Sequence, residues 1–172
     1  MIGSLIPSSR FLVDRLLQQI DWTRAKVIVE YGPGVGTITT AILKRLSLDA
    51  VLVAIEMNDD FVRLLREQNR DPRLKVVHGS AADVGAVLKR LGYDGADYII
   101  SGIPYTTMPE EVRVRVMRES RAALNANGAL LIYQFTRAVL PYLQREFGFV
   151  QTGFELLNVL PAQLFTCEKR AA

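Results

Sequence analysis

Short apolar runs and polar breaks alternate along this chain, and the spacing predicts strands and helices in turn. Val27-Ile28-Val29 is unbroken and β-branched, as a strand covered on both faces should be. Further strands are expected over Ala50-Val51-Leu52-Val53-Ala54-Ile55, from Leu74 to His78, over Ala96-Asp97-Tyr98-Ile99-Ile100, and from Ala129 to Phe135 after an Asn127-Gly128 turn. Helical patterns fill the gaps. Ser8 or Ser9 can cap a helix running to about Ile20, with Phe11, Leu12, Leu16 and Ile20 as its apolar stripe. Residues 37–46 form the next, and Asn58 or Asp59 caps a third that carries Phe61, Leu64 and Leu65. Residues 81–91 form a helix ended by Gly92 and Gly95. Another starts at Pro109-Glu110-Glu111, with proline early and acids in its first turn. A short helical piece near 138–146 precedes two closing strands, near 150–158 and 163–169, joined through Pro161.

Alternation of this kind predicts an α/β fold in which a mostly parallel sheet is covered by helices on both faces. The last two strands have no helix between them, so they are expected as an antiparallel hairpin at one edge. That makes seven strands in a single domain over residues 1–172. A chain of 172 residues can bury roughly 70% of the surface its unfolded form exposes.

Ligands of such sheets sit beyond the carboxyl ends of the strands, near the point where strand order reverses. The polar and glycine-rich residues of this chain gather at those ends: Glu30 to Gly36, Glu56, Gly79-Ser80, and Ser101 to Tyr105. Gly32, Gly34 and Gly36 remove the Cβ atoms that would keep a ligand from the backbone. Their spacing is G-x-G-x-G, where pyrophosphate binders carry G-x-G-x-x-G. A cofactor without a pyrophosphate is therefore expected, and adenosylmethionine is the obvious one.

Composition narrows the picture little. Hydrophobic residues at 49% and charged ones at 23% exclude disorder. A net charge of +3 permits an anionic partner without demanding one. The lone cysteine, Cys167, allows no internal disulfide, fits a reducing compartment and is expected as a buried, inert thiol. No apolar stretch approaches the ~20 residues that span a bilayer, and Pro7-Ser8-Ser9-Arg10 interrupts any signal pattern. The expected location is cytoplasmic, with contact to a membrane made from its inner face. No metal site is expected.

The four strand ends, in their order, resemble the class I S-adenosylmethionine-dependent methyltransferases over nearly the whole chain, which implies a Rossmann-like fold. Within that class the chain is similar to the bacterial phospholipid N-methyltransferases, on three stretches: Ile6-Pro7-Ser8-Ser9, Ser101-Gly102-Ile103-Pro104-Tyr105, and Asn158-Val159-Leu160-Pro161-Ala162. The rRNA adenine dimethyltransferases are cousins, whose Asn-Leu-Pro-Tyr motif aligns with Gly102-Ile103-Pro104-Tyr105. The chain departs from the phospholipid enzymes where Phe135-Thr136 runs into Arg137-Ala138 in place of Tyr-Gly-Pro. It departs from the adenine-binding Gly-Asp-Ala motif at Gly79-Ser80-Ala81.

The resemblance implies a methyl donor, S-adenosyl-L-methionine, that leaves as S-adenosyl-L-homocysteine. Its ribose would rest on Glu56, its adenine against Met57, Ser80 and Ala81, and its methionine ammonium over Glu30, along the turn of Gly32, Gly34 and Gly36, with Ser101 nearby. Asp83 matches the relatives' acid after the adenine motif, though its place at a helix start explains it equally well. Ser101, Gly102, Ile103 and Tyr105 would form the reaction centre. There the Gly102 and Ile103 carbonyls would orient an amine, and the Tyr105 ring would face the developing ammonium. Gly102 stands where adenine methylases carry a side-chain amide, which tilts the acceptor toward an aliphatic amine such as that of phosphatidylethanolamine. Tyr105, Tyr133 and His78 are the groups open to taking its proton, with His78 more in keeping with a structural place.

Arg113, Arg115, Arg118 and Arg121 follow the motif, and Arg10, Arg15, Arg24 and Lys26 lie near the N-terminus. They are expected either as solvated faces or as docking points for an anionic membrane, with the helix of residues 1–22 inserting through Phe11 and Leu12. Three other functions stay open: an RNA adenine methyltransferase, a methyltransferase of a soluble amine, and an inactive cofactor-binding module. Nucleic acid is the less expected partner, because those relatives carry a further helical domain and this chain shows little aromatic-plus-basic surface.

Overall fold

The structure is a computed structural model that describes residues 9–158 and 160–169. Ile6, Pro7, Ser8 and Val159 of the resemblance motifs, and residues 1–8 of the expected N-terminal segment, lie outside the described residues.

The chain runs α1 (Arg10–Leu17), β1 (Val27–Tyr31), α2 (Thr37–Leu43), β2 (Val51–Glu56), α3 (Asp59–Gln68), β3 (Leu74–His78), α4 (Val84–Arg90), β4 (Ala96–Ser101), α5 (Glu110–Ala123), β5 (Leu124–Gln134), α6 (Leu140–Phe147), β6 (Gln151–Glu155) and β7 (Ala162–Glu168). The strands form one sheet in the order β3-β2-β1-β4-β5-β7-β6. The first five are parallel, and β7 runs antiparallel to both β5 and β6. Order reverses between β1 and β4, which puts the ligand crevice between their carboxyl ends.

Side chains on a strand alternate between faces, and the core divides accordingly. Ile28, Leu52, Ile100, Leu131 and Leu164 face one side with α1 and α2, while Val29, Val53, Ile99, Leu130 and Phe165 face the other with α5. Both faces being apolar is what makes the central strands read as unbroken hydrophobic runs. Cys167 lies in the second cluster, where burial pushes its thiol up to about 12.

Ser9 caps α1, its hydroxyl accepting from the Leu12 N–H, and the helix stops three residues short of Ile20. Its stripe is core: Leu12, Leu16 and Ile20 are buried under the sheet, and only Phe11 is exposed. Leu12 is therefore not available as a membrane wedge, because the face that would insert already lies in the core cluster with Leu131 and Leu164. The Asn127-Gly128 turn lies within β5, not ahead of it. Ala96 pairs with Leu124, but Tyr98 pairs with Ala129, so the extra residues bulge out at Asn127, whose φ is 63°. The helix expected over 81–91 opens with a separate 3-10 turn at Ala81–Asp83.

Candidate active site

Three glycines with left-handed backbone, Gly32, Gly34 and Gly36, carry the chain from β1 into α2. Gly32 needs to be glycine on two counts. Its φ is +65°, and a Cβ there would fall 2.7 Å from Ile103 Cγ2, on the segment that follows β4. The cofactor turn and the expected reaction centre are thus in direct contact.

Glu56, at the end of β2, binds the two neighbouring turns together. Its Oε2 accepts from the Gly34 N–H at 3.2 Å, and its Oε1 accepts from the N–H groups of Met57 and Asn58 at 2.8 and 2.9 Å. A carboxylate offers about four lone-pair sites, so the residue expected to grip a ribose also holds the crevice's own backbone in place. Met57 beside it is 70% exposed, open for an adenine face and no part of the core.

Glu30 is 2% exposed and accepts from Thr39 Oγ1 at 2.7 Å. Burial pushes its carboxyl up to about 7; the Thr39 bond works the other way and the charge on Glu56 adds to the rise. A buried carboxyl poised near neutrality at the head of this turn suits a ligand that brings a cation. The donor set fits adenosylmethionine: Glu30 for the ammonium, Glu56 for the ribose hydroxyls, Met57 for the adenine.

The adenine-side residues have local partners. Ser80 caps the 3-10 turn, its Oγ accepting from the Ala82 N–H, and Ala81 is buried. Asp83 pairs with Arg115 of α5 at 2.6 Å. His78 bridges β3 to the turn after β2, with Nε2 at 3.0 Å from the Met57 carbonyl oxygen and Nδ1 at 3.3 Å from Asp59.

On the acceptor side the structure corrects two expectations. Tyr105 is 0% exposed: its ring lies in the core and its hydroxyl sits 2.8 Å from Ser101 Oγ. Burial raises the phenol well above its usual range, with the Ser101 bond opposing. Such a ring offers no face to an incoming amine, and such a phenol is no base. The Ile103 carbonyl, expected to orient the amine, already accepts from the Tyr105 N–H at 2.9 Å and from Gln134 Nε2 at 2.8 Å. A half-buried aromatic residue, Tyr133 on β5, lies against Gly102. A Cβ at Gly102 would collide with its phenol, whose Cε1 lies 2.7 Å from that point. Tyr133 thus fills the space that a side chain at position 102 would take.

Thr39 and Gln134 were missed by sequence reasoning, and Arg113 was expected in another place. Gln134 had a signal, an amide closing an otherwise apolar strand. Arg113 donates to the Tyr105 and Met108 carbonyls and stacks on Tyr142, so it braces the turn where a solvated or lipid-facing place was expected. Arg115 and Arg118 are also paired to acids, Asp83 and Glu119.

The sequence profile of the family described as ribosomal RNA adenine dimethylase matches residues 3–139. An ornithine lipid N-methyltransferase of Singulisphaera acidiphila is 34% identical over 96% of this chain and 88% of its own. A ribosomal RNA small subunit methyltransferase A of Mycoplasma mycoides is 29% identical over 55% of this chain, which spans only 35% of that longer protein. The solved structure of the N-methyltransferase NodS from Bradyrhizobium japonicum shares the fold, with a TM-score of 0.75 over 94% of this chain and 96% of that one, at 12% identity. The chain belongs to the ribosomal RNA adenine dimethylase family and is an S-adenosylmethionine-dependent methyltransferase of the seven-stranded, Rossmann-like kind.

Proposed function

We propose that this enzyme methylates the aliphatic amine of a lipid headgroup, of the ornithine-lipid or phosphatidylethanolamine type, and meets it at an anionic membrane surface. One observation carries the reading. At the position where adenine methylases hold a planar amine with a side-chain amide there is Gly102, and the space is filled by the Tyr133 phenol. A phenol offers an oxygen acceptor and aromatic carbon to an ammonium, a pairing suited to alkylated amines. The likeness to an ornithine lipid N-methyltransferase over most of both chains supports the same acceptor class.

The bound donor supplies an electrophilic methyl on a sulfonium. Glu30, ionised, would take its ammonium, and Glu56 its ribose, while the glycine turn lets backbone approach. An amine of this type has a pKa near ~10.4 and must shed a proton before it attacks. The Gly102–Tyr133 contact would hold the neutral amine in line. Gln134 keeps the turn from shifting by fixing the Ile103 carbonyl. No side chain is assigned as base: alignment of two held reactants can supply several kcal/mol on its own.

Methyl transfer from labelled adenosylmethionine to ornithine lipid, phosphatidylethanolamine, a set of soluble amines and ribosomal RNA tests this. Label in lipid is expected. Label in RNA adenine with none in lipid would establish the second reading, which the family profile over residues 3–139 favours; label confined to soluble amines would also overturn the lipid assignment.

A further inference from the structure

The β6–β7 connection carries three leucines within five residues, and none of them has a place in the core. Leu156 is 68% exposed, Leu157 61% and Leu160 50%. A run of apolar side chains held out in water marks a contact surface more often than an accident. Its position is set by the sheet. Glu155 at the end of β6 pairs with Ala162, Gln163 pairs with Gln134, and β5 lies beside β4, where Ile132 pairs with Ser101. The loop therefore leaves the sheet at the same end as the reaction centre. It stands three strand spacings from Ser101, or about 14 Å.

Charge completes the patch. The loop is tied to the start of α1: the Ser9 N–H donates to Asn158 Oδ1 at 2.9 Å, and the Ser9 hydroxyl donates to the Leu157 carbonyl at 2.7 Å. That bond places Arg10 and the exposed Phe11, on which Arg10 lies at 5.5 Å, next to the leucines. Arg137, exposed after β5, stands at the same end of the sheet. The acid of the loop is inward and engaged, since Glu155 accepts from the Leu157 N–H at 2.8 Å and faces Arg15 at 4.0 Å. Leucines flanked by guanidinium groups that pair with no acid among the described residues fit an interface of hydrocarbon beneath anionic headgroups.

We infer that Leu156, Leu157 and Leu160, with Phe11, Arg10 and Arg137, form the surface by which this enzyme lies on an anionic lipid bilayer, turning its crevice toward the headgroups. The inference rests on the lipid reading above and assigns the docking to the loop, leaving the buried stripe of α1 to the core. Co-sedimentation with phosphatidylglycerol–phosphatidylcholine vesicles tests it, using Leu156→Ser/Leu157→Ser/Leu160→Ser and Arg10→Glu/Arg137→Glu, with adenosylmethionine affinity measured on each to show an intact fold. Cofactor affinity should stay within twofold. The leucine variant should bind vesicles at least tenfold more weakly at every salt concentration. The arginine variant should lose a similar factor at low salt and approach wild type as salt screens the charges.

Wild-type pelleting by the leucine variant overturns the inference, as does a dimer in solution that the leucine changes dissolve while vesicles bind neither protein. An unchanged arginine variant at low salt overturns the anionic part. Leucine-dependent pelleting by an enzyme that methylates no lipid amine upholds the surface and fails the function. Methylation in detergent micelles with pelleting that ignores the leucines does the reverse.

Discussion

At the ends of β1 and β2 the buried carboxylates are held by groups close in the chain: Thr39 lies 9 residues from Glu30, and Gly34 lies 22 from Glu56. At the ends of β4 and β5 the decisive contacts are distant. Gln134 reaches back 31 residues to the Ile103 carbonyl, and in the neighbouring β6–β7 loop Asn158 is held across 149 residues by Ser9. The cofactor half is thus built from two strand-to-helix turns that carry their own partners, and its chemistry is the same whatever the acceptor. The proposed acceptor half is assembled by the edge of the sheet, where a change on β5 or in the β6–β7 loop is expected to alter recognition without touching the donor site.

Glu56→Ala should break the cofactor half most severely. It removes the acceptor for three backbone N–H groups, and charged hydrogen bonds contribute about 1.5–3 kcal/mol each before compensation by water. Cofactor affinity is expected to fall at least ~100-fold, about 2.7 kcal/mol, with a clear drop in thermal midpoint. Calorimetric titration and a melting curve check both; wild-type affinity would show that the residue serves only the turns.

Glu30 gives that half a pH signature. Below pH 4.5 its carboxyl is protonated whether folded or not, so it affects nothing. Between 4.5 and about 7 the unfolded chain releases the proton while the folded one keeps it, and stability of the ligand-free protein falls as pH rises. The fall levels off above pH 7 at about 3 kcal/mol. Affinity for adenosylmethionine should move the opposite way, rising through pH 7 as the site acquires its negative charge. Glu30→Gln should flatten both profiles, and an unchanged binding profile would remove Glu30 from the ammonium site.

The acceptor half should respond to smaller steps and leave cofactor binding alone. Gly102→Ala forces the Tyr133 phenol to move, and turnover on a lipid amine is expected to drop about tenfold, ~1.4 kcal/mol, with cofactor affinity inside twofold. Equal turnover would detach Tyr133 from the acceptor. Tyr105→Phe should do least: it removes the bond to the buried Ser101 hydroxyl, costing about 1 kcal/mol of stability, with turnover inside threefold. A large loss of turnover would restore Tyr105 to direct contact with substrate.

Much of the architecture was legible because strand and helix periods are local. The end of β3 at His78, the Asn58 cap of α3 and the closing hairpin all stand where pattern and turn chemistry put them. Asn127-Gly128 had the chemistry of a turn, yet it became a bulge, because pairing with β4 continued past it. The positions of Glu30, Glu56 and the glycines at strand ends were legible too, since a parallel sheet sends every such end to one crevice.

Sequence by itself determined the order of elements, the seven strands and the acidic and glycine residues at the strand ends, for these depend on near neighbours and on the alternation of side chains. Only the tertiary structure decided which tyrosine is enclosed in the core, which face of α1 is spent on the core, and which apolar residues stay in water. Tyr105 and Tyr133 are alike as residues; one is enclosed by α5 and the sheet and the other lies over Gly102. Burial is a property of what packs on top of a side chain: Tyr105 lies in one cluster with Val116 and Met117 of α5, while Tyr133 comes from β5 to lie against Gly102.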